Sequence, residues 1–429
     1  MSFILCAERV FCVAKLLIEG CRKLSGEVKV QGAKNSTLPI LAATILSADE
    51  NVIHNCPCLS DIDASVKILR YLGCTASRHG HTLVINTKDM KGNHIPTVLM
   101  REMRSSIIFL GAILARCSKA RLSFPGGCEL GPRPIDLHLD ALRKMGVVIT
   151  EHHGELECIA PKGLSGATIA LAFPSVGATE NIMIAASLAK GTTIITNAAR
   201  EPEIEDLACY LNSCGAQVSG AGEGTVVIEG CEQLHGTAHT VIPDRIVAAT
   251  LMCAAAVTGS DIELSDVMSS HLGAIIPVFE EAGCDVTVKD GRLRLLSPQR
   301  LRSFKLVRTN PYPGFPTDAQ APLMAMATVS RGTTVFVETV FENRYKHVGE
   351  FLRLGANVKA EGRVAIVEGV RELYSAPVQA QDLRGSAALA VAGLAAQGVT
   401  EIDTTKYLER GYEDFDVTLR ALGADVKKI

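Results

Sequence analysis

The sequence predicts an α/β protein of two pseudo-symmetric domains, each with three repeats of about 70 residues. Three observations carry this. First, glycines recur after apolar-periodic helices at Gly73, Gly146, Gly215, Gly283, Gly355 and Gly423, spaced by 73, 69, 68, 72 and 68 residues. Each precedes a short alternating strand, so each reads as a helix C-terminal cap with positive φ. Second, six small-residue helices begin near Lys34, Arg104, Ser175, Asp244, Asp318 and Asp382, at the same period. Third, 429 residues exceed one ordinary domain, and units this long exceed usual solenoid periods.

Composition agrees with buried small-residue helices. Hydrophobic residues make up 47% of the chain but aromatics only 4%, so Ala, Leu, Ile and Val must fill the cores. Polar or charged residues sit just before each small-residue helix. If these helices run parallel, their N-termini emerge on one face, where partial positive charge attracts anions. Two such faces closing together make a cleft lined by Lys, Arg and Asp, and clefts between domains are common ligand sites.

Charge and cysteine usage exclude several classes. A net charge of −3 gives no bulk attraction to nucleic acid or anionic membranes. The fourteen cysteines form no paired framework. The tightest spacing is Cys56-Pro57-Cys58 and there is no C-x-x-C, which reads as a reduced, cytoplasmic protein rather than a disulfide scaffold or zinc site. Glu8, Arg9 and Lys15 interrupt the apolar N-terminal stretch, which makes a poor signal peptide. The longest apolar runs, such as Ser105–Ala115, fall short of the ~20 residues that span a bilayer.

The segment Pro125–Pro134, P-G-G-C-E-L-G-P-R-P, stands out. It holds Cys128 in a Gly/Pro-rich loop with Arg133 nearby. A thiol beside cations can serve as acid, base or nucleophile. A mobile loop carrying such groups suggests a lid. Ile135-Asp136-Leu137-His138 then restores a helical pattern.

Gly32-Ala33-Lys34-Asn35-Ser36-Thr37-Leu38-Pro39 and the P-G-G-C-x-x-G-x-R-P-x-D-L-H run at Pro125–His138 resemble the enolpyruvyl transferases that act on UDP-N-acetylglucosamine. Further matches are Met103–Ser106, Ser175–Thr179, Phe315–Asp318, Phe341–Arg344, Asp382–Arg384 and Arg410–Tyr412, in family order from about Leu17 to the C-terminus. The resemblance implies the enolpyruvyl transferase fold, a two-domain inside-out α/β barrel. One domain would be discontinuous, residues 1–33 plus 243–429. The other, 34–242, would be inserted and carry the Cys loop at about 125–138.

The implied reaction adds the enolpyruvyl group of phosphoenolpyruvate to the 3′-hydroxyl of UDP-N-acetylglucosamine, with loss of phosphate. It opens peptidoglycan precursor synthesis, and hence serves cell shape and division. By resemblance, Asp318 is the general base at the hydroxyl and Cys128 the acid at the methylene carbon, the thiol that fosfomycin alkylates. Lys34, Arg133 and Arg410 hold phosphate, while Arg104, Arg344 and Arg384 add positive field and bind the carboxylate. Asn35 contacts the sugar. Arg133, Pro134, Ile135, Asp136, Leu137 and His138 line the uridine pocket, with Asp136 accepting from uracil. Ser175, Val176 and Gly177 offer backbone N–H groups to the diphosphate. Val340 also lies on the substrate. Asp244 and Asp382 orient the arginines.

Two departures are visible. Val247 replaces a common Glu, and Phe173-Pro174 stands where some members have a Lys near the diphosphate. No metal or organic cofactor is implied, and the small-molecule substrates are the only partners expected. The related shikimate 3-phosphate enzyme lacks the Cys lid and the R-P-x-D-L-H wall.

Overall fold

Helices lie inside this molecule and sheets outside, the reverse of most α/β proteins. The computed structural model describes residues 15–124, 135–403 and 405–429. Numbered in chain order, six inner helices are α1 Lys34–Ala43, α4 Phe109–Cys117, α6 Val176–Ala186, α8 Arg245–Val257, α10 Thr317–Thr328 and α12 Leu383–Ala395. Nearly every residue of α6, α8, α10 and α12 is buried. A helix apolar on all sides belongs in a core, and small side chains let such helices approach closely. Gly111 marks one such approach. A Cβ there would lie 2.3 Å from Asn181 Oδ1, so α4 meets α6 only because this residue has none.

Outside them lie α2 Ser60–Tyr71, α5 Asp136–Lys144, α7 Pro202–Ser213, α9 Ile276–Glu281, α11 Val348–Arg353 and α13 Phe415–Ala421. Each ends at one of the six repeated glycines, all with φ between 86° and 99°. The expected left-handed cap is therefore present in every repeat. A short helix, α3 Thr97–Glu102, precedes the 3-10 turn Arg104–Ile108.

Among the described residues, six separate four-stranded sheets cover the outside, and none closes into a barrel of strands. In each, the strand after an inner helix pairs antiparallel with one neighbour and parallel with an edge strand. Alternating burial, as in Thr192–Thr196 and Arg292–Leu296, gives each strand a core face and a solvent face.

Two edge strands are exchanged. Ser25–Lys29 precedes α1 yet pairs with Asp261–Ser265. Ala238–Thr240 precedes α8 yet pairs with Glu50–His54. Consequently the buried residues form two clusters. One runs from Ala33 to Val241, and the other joins Leu16–Val30 to Ile246–Val426. The two connecting stretches lie against each other. Ala33 N–H donates to the Ile242 carbonyl at 2.7 Å and Asp244 N–H to Gln31 at 2.9 Å. No helix of the described residues is long and apolar enough to cross a membrane.

Candidate active site

The cores meet where the N-termini of α1, α8, α10 and α12 converge. Asp244 ties two of them together. Its Oδ1 caps α8 through the N–H groups of Ile246 and Val247, and its Oδ2 accepts the backbone N–H of Lys34 at 3.2 Å. Asp382 caps α12 through the N–H groups of Arg384 and Gly385. Both carboxylates thus hold backbones, and Asp244 also acts on the Arg384 guanidinium through its charge. Capping is what a short carboxylate at a helix start does best.

Two carboxylates gather the cations. Asp318 lies in the first turn of α10, half-exposed, and does not cap it. Arg344 Nη2 donates to its Oδ1 at 2.8 Å and Arg384 Nη2 to its Oδ2 at 3.0 Å. Both arginines are almost fully buried, and Arg384 stacks on Tyr412 at 5.4 Å. Burial works to raise the Asp318 pKa, but Arg384, Arg344 and Lys34 overcome it and hold the carboxyl well below the usual range.

The second centre is Asp61, in the first turn of α2. Lys34 Nζ donates to its Oδ2 at 2.8 Å and Arg410 Nε to its Oδ1 at 2.9 Å. Burial would raise this carboxyl too, and Lys34 with Arg410 hold it low. Lys34 is pushed below its usual range, chiefly by burial and further by Arg410 and Arg384, against Asp61. Lys34 and Asp61 lie on the chain segment that builds one core and Arg410 on the segment that builds the other. The sequence reading missed Asp61.

Some buried donors in this region have no partner among the described residues. They include Arg344 Nε and Arg384 Nε. Buried guanidinium N–H groups left unpaired are costly, and an anionic ligand satisfies them.

A third group lies on the first core. His138 is buried in α5 against the start of α6, where a Cβ on Gly177 would stand 3.4 Å from its ring. Asn181 fixes its tautomer. Asn181 Oδ1 accepts the Gly111 N–H at 2.7 Å, so its amide nitrogen donates to the Ile107 carbonyl and to His138 Nδ1, both at 3.0 Å. His138 Nδ1 is then an acceptor and Nε2 carries the proton. Burial lowers its pKa to about 4, so the ring is neutral.

Ser175 caps α6 by accepting the Ala178 N–H at 3.3 Å. Its own N–H is taken by the Phe173 carbonyl at 2.7 Å, which leaves Val176 and Gly177 as the first-turn donors. Asp136 and Leu137 open α5 just after Ile135, and Asn35 is the half-buried second residue of α1. The Val340 N–H donates to Glu338 at 2.8 Å, beside the Arg344 segment. Arg104 opens its 3-10 turn. Cys128, Arg133 and Pro134 lie outside the described residues. Val247 is buried beneath the Asp244 cap, and Phe173 is exposed.

The sequence profile of the EPSP synthase (3-phosphoshikimate 1-carboxyvinyltransferase) family matches residues 18–419. The chain is 48% identical over 417 residues to the UDP-N-acetylglucosamine 1-carboxyvinyltransferase 2 of Caldanaerobacter subterraneus subsp. tengcongensis, covering 97% of this chain and 100% of that one. It is 47% identical to the enzyme of that name from Trichlorobacter lovleyi, covering 97% and 99%. Its fold matches the enolpyruvyl transferase NikO from Streptomyces tendae with a TM-score of 0.88 at 26% identity, over 97% and 98% of the two chains. EPSP synthase from Acinetobacter baumannii shares the fold, with a TM-score of 0.75 at 18% identity over 97% and 100%. The chain therefore belongs to the UDP-N-acetylglucosamine 1-carboxyvinyltransferases of the enolpyruvyl transferase family.

Proposed function

We propose that this enzyme transfers the enolpyruvyl group of phosphoenolpyruvate to the 3′-hydroxyl of UDP-N-acetylglucosamine and releases phosphate. The reaction would start peptidoglycan precursor synthesis in the cytoplasm and so feed cell shape and division. The observation that carries the reading is the gathering of Lys34, Arg344, Arg384 and Arg410 on two carboxylates where the cores meet. A phosphorylated carboxylate needs such a set of cations. The reading takes 34–242 as one domain and 1–33 with 243–429 as the other, with substrates between them.

Asp318 accepts the 3′-hydroxyl proton as the sugar oxygen attacks C2 of phosphoenolpyruvate. With two guanidiniums on it, Asp318 is a poor base. Phosphoenolpyruvate draws Arg344 and Arg384 onto its own oxygens, and the basicity of Asp318 rises as it loses them. A proton reaches C3, the role that resemblance gives to Cys128. The tetrahedral ketal then loses a C3 proton and its phosphate, which restores the double bond. Lys34 and Arg410, with Arg133 of the lid, stabilise the departing phosphate charge. Arg104 adds to the positive field. Asp136 and the ordered His138 ring face the nucleotide side, with the α6 N-terminus at the diphosphate.

The test is phosphate release from phosphoenolpyruvate with each acceptor, before and after fosfomycin treatment. Release with UDP-N-acetylglucosamine that fosfomycin abolishes supports the reading. Release only with shikimate 3-phosphate overturns it in favour of the other branch of the family.

A further inference from the structure

Near Asp61 and Arg410 in the sequence, Cys58 and Glu413 join His81 to bring a sulfur, a carboxylate oxygen and an imidazole nitrogen within 4.8 Å of one another. His81 Nε2 is 2.9 Å from Glu413 Oε1. We propose that these three side chains bind a thiophilic divalent metal ion, with zinc the best match, and that the ion fastens the two cores beside the active cleft.

The donor set is the first argument. Thiolate, imidazole and carboxylate are the ligands zinc takes, three from protein leaving a fourth position for water. Bonds of about 2.0–2.3 Å set tetrahedral ligand atoms roughly 3.5 Å apart. The sulfur must therefore draw in by at most about an ångström, and His81 and Glu413 must part slightly from 2.9 Å. His81 can do so, since it is exposed in the turn between two strands.

Electrostatics is the second. Arg78 Nη1 donates to Cys58 Sγ at 3.4 Å and favours the thiolate, whereas burial, Glu413 and Asp63 raise the thiol's pKa, so the metal ion itself must displace the proton. The same guanidinium nitrogen donates to the Cys56 carbonyl at 3.0 Å, which holds it at the thiol. Cys58 also borders an open cleft whose walls include Asp63, Glu409, Asp414, Asp416 and Lys428. The ion replaces the thiol proton, which leaves to solvent, and the carboxylates of the cleft are already engaged, Asp416 with Arg420 and Glu409 with Lys428.

Placement is the third. Cys58 and His81 belong to the first core's segment, and Glu413 to the second's. Cys58 stands three residues before Asp61, and Glu413 three after Arg410. The ion would therefore join the same two segments that the Asp61–Arg410 pair joins. Glu413 is already steadied there, its N–H donating to Gln31 Oε1 at 2.8 Å.

The test uses the metal-free full chain titrated with Co²⁺. One equivalent should bind with sulfur-to-cobalt charge-transfer absorption, and Zn²⁺ should displace it. Cys58→Ser should abolish the band. His81→Ala and Glu413→Gln should each weaken binding by at least ~10-fold, the scale of losing even an outer-shell partner. Zn²⁺ should raise the Tm of the parent chain and leave that of His81→Ala unmoved. Failure of the parent to bind one equivalent, or a band that survives in Cys58→Ser, would overturn the proposal. His81 is exposed, so its variant tests the site even where a Cys58 variant folds poorly.

Discussion

Asp318 and Asp61 are both carboxylates held by two cations, yet they are built in opposite ways. At Asp318 the arginines are buried, with side chains 3% exposed, while the carboxylate is 27% exposed. At Asp61 the carboxylate is 2% exposed and the Arg410 side chain 25%. The first arrangement offers its carboxylate to a ligand. The second hides the carboxylate and offers a cation. On the proposed reaction, the difference separates a group that reacts from one that positions, although charge and partner count are alike.

Neutralising each carboxylate should break the likeness. Asp318→Asn removes the proposed base and should lower phosphate release by about 10²–10⁴-fold, the usual share of general-base catalysis. Steady-state kinetics beside a melting curve will show it. Asp61→Asn leaves Lys34 and Arg410 facing each other without a counter-charge. Removing one member of a buried ion pair costs about 3–5 kcal/mol. Its Tm should fall further than that of Asp318→Asn, whose site is partly open to water.

Acid should act on the first core through His138. Folding keeps this ring neutral, with its pKa lowered from 6.5 to about 4. Its contribution is complete above about pH 6.5 and is lost as pH falls toward 4. The shift corresponds to about 3 kcal/mol. Denaturant unfolding of His138→Gln should show a flatter pH dependence across that window. A smaller effect is expected from Gly111→Ala, which crowds Asn181 by side chain and backbone. Overpacking of this kind costs about 1–3 kcal/mol and should loosen His138, measurable as a lower Tm with weaker nucleotide binding.

The repeat was legible in the sequence because each unit carries the same local device, a helix stopped by a left-handed glycine. The exchange of edge strands came only with the family resemblance, which implied a discontinuous domain, since Ser25–Lys29 and Ala238–Thr240 themselves look like any other short strand. Asp318, Arg344, Arg384, Lys34 and Arg410 were legible because they stand in distinctive motifs. Asp61 opens an ordinary amphipathic helix, and its partners lie 27 and 349 residues away. One signal was available. Asp61, Ser65, Ile68 and Leu69 share the apolar stripe of α2, and an acid on that stripe must find cations. Asn181 was missed for a similar reason. Its role depends on Gly111 and His138, which come from other helices.

The central claim is that Asp318 and the substrate compete for Arg344 and Arg384. Its most direct test is the affinity for phosphoenolpyruvate of Asp318→Asn and the parent enzyme, measured with UDP-N-acetylglucosamine present. The account predicts equal or tighter binding in the variant, because both guanidiniums are released, alongside lost turnover. Markedly weaker binding would mean that Asp318 serves only to hold the arginines in place.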